Sequence, residues 1–308
     1  MELHISGTQK VSPQQLGRLR GTAERAVAFF EENFGPVEGT LGIELDPQTL
    51  STGYDRERDV VNFPQTGQLI NAGLDSADVV DHELFHALLT RRYPHTGSPA
   101  ALSNPEGARL HEGLADFFAF KLQPDEHFGE NYRTDTAYLR AYRNDLTVSL
   151  SPGSHAQGNA ITAHLLRAGV EMPQIRAFLD KGEFTLQALQ QVSPQLEAAL
   201  QREAGFGVEQ RAVNYPDSAI KRYRISPERP LEVDFRPNQE LLQAHPGFRV
   251  AWTNMDGLPS QEFKISSQDE RSFQVVAHPT SRPEKLLAVF YDEHRQIGFQ
   301  PYYLSAAS

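Results

Sequence analysis

The stretch Asp78-Val79-Val80-Asp81-His82-Glu83-Leu84-Phe85-His86-Ala87 decides the reading of this 308-residue chain. It contains H-E-x-x-H, two histidines four positions apart with a glutamate directly after the first. Just upstream, Asp75 can cap a helix whose first turn carries Asp78, so the motif falls about two turns into that helix. Positions i and i+4 share a helix face, and both imidazoles can close on one metal ion. Glu83 is displaced about 100° around the axis, where it can hold a water molecule at that ion. Two ligands leave a hydrolytic site incomplete, because zinc in such a site takes a third protein ligand and keeps one position open.

The third ligand is sought in His111-Glu112-Gly113-Leu114-Ala115-Asp116, on a helix announced by Asn104 as cap and Pro105 as first residue. Glu112 and Asp116 stand at i and i+4, so one carboxylate can ligate while the other receives the N–H of a ligand imidazole. They sit among Leu110, Leu114, Phe117, Phe118 and Phe120, a poor surface for free charges. His111 is the alternative ligand, and choosing it would leave Glu112 and Asp116 without a joint role. Gly113 lets a neighbouring helix approach. A metzincin would need Gly and His where Leu89 and Arg92 stand, which excludes that family.

These residues resemble the gluzincin peptidases of the thermolysin and fungalysin type, and the 25 residues between His86 and Glu112 look more like the fungalysin connector. The resemblance covers about Asp59 to Gly169 and implies a zincin-type catalytic domain. It implies one Zn2+ per chain on His82, His86 and Glu112, with Glu83 as general base and Asp116 orienting a ligand histidine. In Ser154-His155-Ala156-Gln157-Gly158 the serine and glutamine can form a capping box, which puts His155 in a first helical turn, and Gly158 permits close packing. By the same resemblance His155 donates to the tetrahedral oxyanion. An extended substrate is expected along a sheet edge before the zinc helix, and Val60 to Phe63, with Asn62 and Phe63, is the candidate. Pro64 supports an edge position, since proline donates nothing to a ladder. The tyrosine that often assists the oxyanion is Tyr132, Tyr138 or Tyr142, and the acidic calcium cluster of the extracellular thermolysin group is not evident.

Composition narrows the remaining classes. With 29 Lys+Arg against 40 Asp+Glu the formal charge is −11, which repels nucleic acid and anionic lipid surfaces. There is no cysteine, so disulfides, thiolate metal sites and a cysteine nucleophile are excluded. No run approaches the roughly 18 apolar residues that span a bilayer, and the first ten residues lack a basic start followed by an apolar stretch.

The chain is long enough for two cores, and its pattern changes once. Helical periodicity dominates from Gln14 to Ala204, including a helix expected over Tyr132 to Asp145, with a small sheet at Thr40 to Leu45 and Asp59 to Phe63. Short alternating segments follow, from Leu231 to Leu304. The expected fold is α+β: residues 1–225 form a catalytic domain of small N-terminal sheet plus helical subdomain, and residues 226–308 a small all-β sandwich-like domain. The linker is placed at Ile225-Ser226-Pro227-Glu228-Arg229-Pro230.

The function this implies is a zinc-dependent peptidase acting on peptide or protein substrates, and an endopeptidase, since no motif for holding a free amine is visible. The alternatives are an aminopeptidase, or a zinc-binding protein of this fold, inactive or highly selective, with a binding role. The aromatics Trp252, Phe263, Tyr291, Tyr302 and Tyr303 of the second domain read as core, or as a glycan or protein contact. An unrestrained peptidase would harm its own cytosol, so secretion or a periplasmic site is expected, with the cytoplasm as the alternative.

Overall fold

A computed structural model of the chain describes residues 1–46, 52–64, 75–132, 137–215, 220–278 and 281–307. Its class is α+β, divided into two compact units: Met1–Asn144 with Gly153–Ala199, and Asp145–Pro152 with Leu200–Ser308.

The first unit begins with strand β1 (Glu2–Ser6) and helix α1 (Pro13–Phe34). Ser12 and Gln15 close a capping box at the start of α1, and Pro13 occupies its first position, where no N–H is required. Leu19, Ala23, Ala26, Val27, Phe30 and Phe34 recur at helical spacing and are buried. Strands β2 (Thr40–Asp46), β3 (Gly53–Asp55) and β4 (Val60–Pro64) complete a sheet in the order β1-β2-β4-β3. The β1–β2 and β2–β4 pairs are parallel, and β3 runs antiparallel to β4.

The edge expected at Val60 to Phe63 is therefore occupied by β3 instead. β4 is paired on both sides, and Phe63 is fully buried. Pro64 is tolerated because β3 pairs only with Val60, Val61 and Asn62, so no strand of that side asks for its missing N–H.

Helix α2 (Ala77–Arg92) carries the H-E-x-x-H residues. Its N-cap is Ser76 rather than Asp75, whose carboxylate instead pairs with Arg18 at 2.6 Å. From Asp78 to Leu89 every residue is buried except Glu83 and His86. Phe85 packs against Phe30 of α1 and Phe118 of α4 (Pro105–Leu122), with ring centroids 5.8 and 4.7 Å away. The short helix α3 (Pro99–Ser103) precedes α4, and Asn104 caps α4 as its sequence announces, accepting from the Glu106 N–H.

Past α4 the expected helix over Tyr132 to Asp145 is not formed in its described part. Strands β5 (His127–Phe128) and β6 (Arg140–Ala141) pair instead, and residues 133–136 lie outside the described residues. Helices α5 (Gly153–Arg167), α6 (Met172–Asp180), α7 (Leu186–Gln190) and α8 (Pro194–Ala204) follow, the unit division falling within α8. Helix α5 starts at Gly153, so Ser154 lies inside it rather than capping it.

The second unit holds β7 (Val208–Ala212), β8 (Arg222–Ile225), β9 (Leu231–Pro237), helix α9 (Gln239–Ala244), and strands β10 (Phe248–Thr253), β11 (Phe263–Ser267), β12 (Ser272–Ala277), β13 (Glu284–Asp292) and β14 (Arg295–Ala306). Two four-stranded sheets, β10-β13-β14-β8 and β11-β12-β9-β7, turn alternate residues into one shared apolar core. Trp252, Phe263 and Tyr302 are buried in that core, Tyr291 is half-buried, and Tyr303 is exposed. The unit is not strictly all-β, because Asn238 caps the short α9. It also begins before residue 226. Ser226 and Arg229 exchange backbone hydrogen bonds in a tight turn that joins β8 to β9, and the prolines belong to that turn rather than to a linker. No helix among the described residues is long and apolar enough to cross a membrane.

Candidate metal centre

Three donor atoms from two helices converge. His82 Nε2 and His86 Nε2 of α2 are 3.0 Å apart. Glu112 Oε2 of α4 lies 3.3 Å from the first and 3.9 Å from the second. The three residues form a group that could hold a metal ion. Glu112 Oε2 is buried and accepts no hydrogen bond, so it faces the imidazoles as an unsatisfied acceptor.

The histidines are aimed from behind. Asp116 is fully buried and its Oδ1 lies 2.8 Å from His82 Nδ1, although the ring N–H is not collinear with that contact. The carboxylate is held in turn by Arg140, whose Nε donates to Oδ2 at 2.8 Å and whose Nη2 donates to Oδ1. The guanidinium stacks over Phe128, 4.0 Å from the ring centroid. His86 Nδ1 is 2.8 Å from His111 Nδ1. His111 thus stands behind His86, outside the three converging donors, which favours Glu112 over it as the third ligand.

Close helix approach sets the position of Glu112. A Cβ on Gly158 of α5 would lie 2.6 Å from Glu112 Cβ and 2.7 Å from the Gly113 backbone N. Thr162 of α5 donates to the Gly113 carbonyl at 2.8 Å. The helix that Gly113 admits is therefore α5, and α5 brings His155 Nε2 to 3.3 Å from Glu112 Oε2. His155 keeps a side-chain exposure of 68%, unlike the buried His82 and His164.

The charges follow this packing. Burial opposes a charge on His82, but the close carboxylates of Asp116 and Glu112 prevail and push its pKa up to about 10. Burial, then the His82 charge, hold His86 well below its ordinary value. Burial would raise Glu112, yet the three surrounding histidines hold it well below the carboxylate range. Burial would raise Asp116 too, and Arg140 and His82 keep it low. Burial pushes Glu83 up to about 7, outweighing the opposing charges of His82 and Arg140. Burial and the nearby Arg56 bring His111 down to about 3.

A cleft of about 300 Å³ opens on the group, lined by Glu83, His82, His86, Glu112 and His155, by Leu102, Ala108 and His111, and by Thr52, Gly53, Tyr54 and Arg56 around β3. The last four lie outside the sequence expectation. Asn62 and Phe63 do not line it. Of the three tyrosines considered for the oxyanion, Tyr142 is sealed in the core and Tyr138 is exposed and stacked on His127. Tyr132 shares a 2.8 Å hydrogen bond with Thr52 at the cleft. Tyr54 lines the cleft directly, its hydroxyl donating to Asp59 at 2.6 Å.

No protein-family model matches the chain, and no curated protein matches it.

Proposed function

We propose that the chain is a zinc-dependent peptidase of zincin type, with the gluzincin ligand set His82, His86 and Glu112, and that it cuts within chains. The observation that carries this is the convergence of two imidazole nitrogens and one carboxylate oxygen at the floor of a cleft that also holds Glu83. Tetrahedral coordination with bonds of about 2.0–2.1 Å needs donors about 3.3 Å apart. The observed separations of 3.0, 3.3 and 3.9 Å bracket that value. The chemistry of the donors agrees, since nitrogen and oxygen ligands from two histidines and a glutamate suit a catalytic zinc site.

Zinc bound there would supply Lewis acidity, polarising the scissile carbonyl and acidifying water. Glu83 takes a proton from the attacking water as its oxygen bonds to the carbonyl carbon. It then passes that proton to the leaving nitrogen as the C–N bond breaks. His155, exposed at the cleft and next to Glu112, donates to the developing oxyanion. Asp116 and Arg140 hold His82 in its orientation throughout. A merely structural metal would have no use for Glu83 beside an open cleft.

Metal analysis of the purified protein, paired with cleavage of an unfolded protein such as casein, tests the reading. About one zinc per chain is expected, with cleavage lost on chelation and restored by zinc. Glu83→Gln should keep the zinc and lose turnover by at least ~10²-fold. Zinc bound without cleavage, or substantial cleavage by Glu83→Gln, would refute it.

A further inference from the structure

We propose that Arg56 is a carboxylate-binding residue of the cleft and makes the enzyme selective for peptides bearing an acidic side chain or a chain-terminal carboxylate near the scissile bond. This rests on the peptidase reading for its substrate class. Arg56 follows β3, the edge strand of the first sheet, and lines the cleft together with Thr52, Gly53 and Tyr54 of that same segment.

The guanidinium has no anionic partner among the described residues, although the chain carries 40 carboxylates against 29 cations. One of its nitrogens donates to the Gly97 carbonyl, which tethers the group in place, and among the described residues no hydrogen bond takes the others. None of the described carboxylates near it in sequence or in the cleft lining forms an ion pair with it. Asp55 accepts from the backbone N–H groups of Glu57 and Arg58. Asp59 is held by Arg91 and by the Tyr54 hydroxyl. Glu44 pairs with Arg58, and Glu57 is exposed. In the cleft itself, Glu112 faces three imidazoles, and Glu83, the other carboxylate of the lining, makes no ion pair with Arg56. The stretches 47–51 and 65–74, on either side of β3 and β4 in sequence, contain no acidic residue. Partial burial already works against the Arg56 charge, so the cleft holds a half-desolvated cation with open donors.

The backbone beside it suits a peptide. β3 pairs on one side only, through Gly53, Tyr54 and Asp55 to β4, and an extended chain can add along its outer edge. Gly53, Tyr54 and Arg56 line the same cleft as the three donors, so a peptide added along that edge would pass Arg56 where β3 ends. A planar guanidinium with several free N–H groups recognises a carboxylate by paired hydrogen bonds.

The test is equilibrium binding by calorimetry to the zinc-loaded Glu83→Gln chain, which separates recognition from turnover. The ligands are one neutral hexapeptide acetylated and amidated at its ends, the same peptide with a single Glu at each internal position in turn, and the neutral peptide with a free C-terminal carboxylate. At least one carboxylate-bearing form should bind about 10- to 100-fold more tightly than the neutral one. Preference for an internal Glu identifies an acidic side chain as the natural group, and preference for the free terminus identifies the chain end. Adding Arg56→Gln should abolish the preference, and Arg56→Lys should restore part of it, with melting temperatures confirming that each variant folds. Equal binding of all peptides to the Arg56 chain, or a preference that survives Arg56→Gln, overturns the proposal. Wild-type cleavage without carboxylate preference would sink this inference and leave the peptidase reading intact. A carboxylate preference that depends on Arg56, without wild-type cleavage, would do the reverse.

Discussion

Replacing Gly158 by alanine tests whether the contact between α4 and α5 sets the catalytic geometry. The added methyl would sit 2.6 Å from Glu112 Cβ, 2.7 Å from Gly113 N and 3.0 Å from Glu112 C, none of which can rotate away. Ordinary contact begins at 3.4 Å, so the helices must part by about 0.8 Å, the difference between 3.4 and 2.6. Overpacking of this kind costs ~1–3 kcal/mol. The Thr162 bond to the Gly113 carbonyl, 2.8 Å long, would stretch beyond bonding range and cost a further ~1 kcal/mol. Alanine returns roughly 1 kcal/mol of helix propensity, leaving a net loss of about 1–3 kcal/mol. Gly17 in α1 is the matched control, because a Cβ there meets nothing within 4 Å and alanine should stabilise by ~0.5–1 kcal/mol. Since α4 is also packed on α2, the helix that gives is α5. His155 then retreats from Glu112 while the three donors stay together. Chemical denaturation of both variants, zinc content, and kcat/KM on a small peptide form the assay. The expected result is a destabilised Gly158→Ala chain that keeps one zinc and loses turnover, beside a stabilised Gly17→Ala chain. Equal stabilisation of the two variants would show that α4 and α5 are not in the contact described.

Other outcomes follow from the same geometry. Asp116→Ala strands the half-buried Arg140 charge and frees the His82 ring; it should destabilise by ~3 kcal/mol, the low end for a broken buried pair, and weaken zinc binding ~10- to 100-fold, measured by denaturation and competition with a chelator. Glu112→Ala should abolish stoichiometric zinc while His111→Ala only weakens it, and full zinc occupancy in Glu112→Ala would reassign the third ligand to His111. In the second unit, burial opposes the Asp292 charge, but the His245 hydrogen bond at 3.0 Å, with further help from the Gly247 N–H and Arg295, holds its pKa below the ordinary carboxylate value. A depressed folded pKa stabilises above the unfolded value of about 3.9 and the benefit is lost as pH falls through the folded one. Asp292→Asn should therefore be less stable than the native chain at pH 7, with the gap shrinking as pH falls below the unfolded value, and a gap that does not change with pH would count against the pairing.

What the sequence discloses here is what a single helix fixes. The separation of His82 from His86 is a property of one helical turn, and Glu112 and Asp116 are related in the same way, so both pairs are readable from spacing alone. Periodicity contributed little, because α2 is buried almost all round, Glu83 and His86 alone between Asp78 and Leu89 being less than buried. The groups that were not legible arrive through tertiary contact on very short elements. Arg140 lies on a two-residue strand, and the helical pattern of its neighbourhood conceals the pairing with β5 that carries its guanidinium to Asp116. Arg56 follows a three-residue strand whose position at the edge depends on β4 being covered, the opposite of what Pro64 suggests. Two prolines near Ser226 look the same whether they end a domain or turn a chain between strands, and only the pairing of β8 with β14 and of β9 with β12 distinguishes the cases. The proposed ligands and base come from one rigid motif and its partner helix, whereas the residues proposed to orient them and to meet a substrate are recruited by packing. Loss of Asp116, Arg140 or Arg56 should therefore change affinity and selectivity while the H-E-x-x-H signature remains intact, and the motif alone is a poor guide to what this cleft accepts.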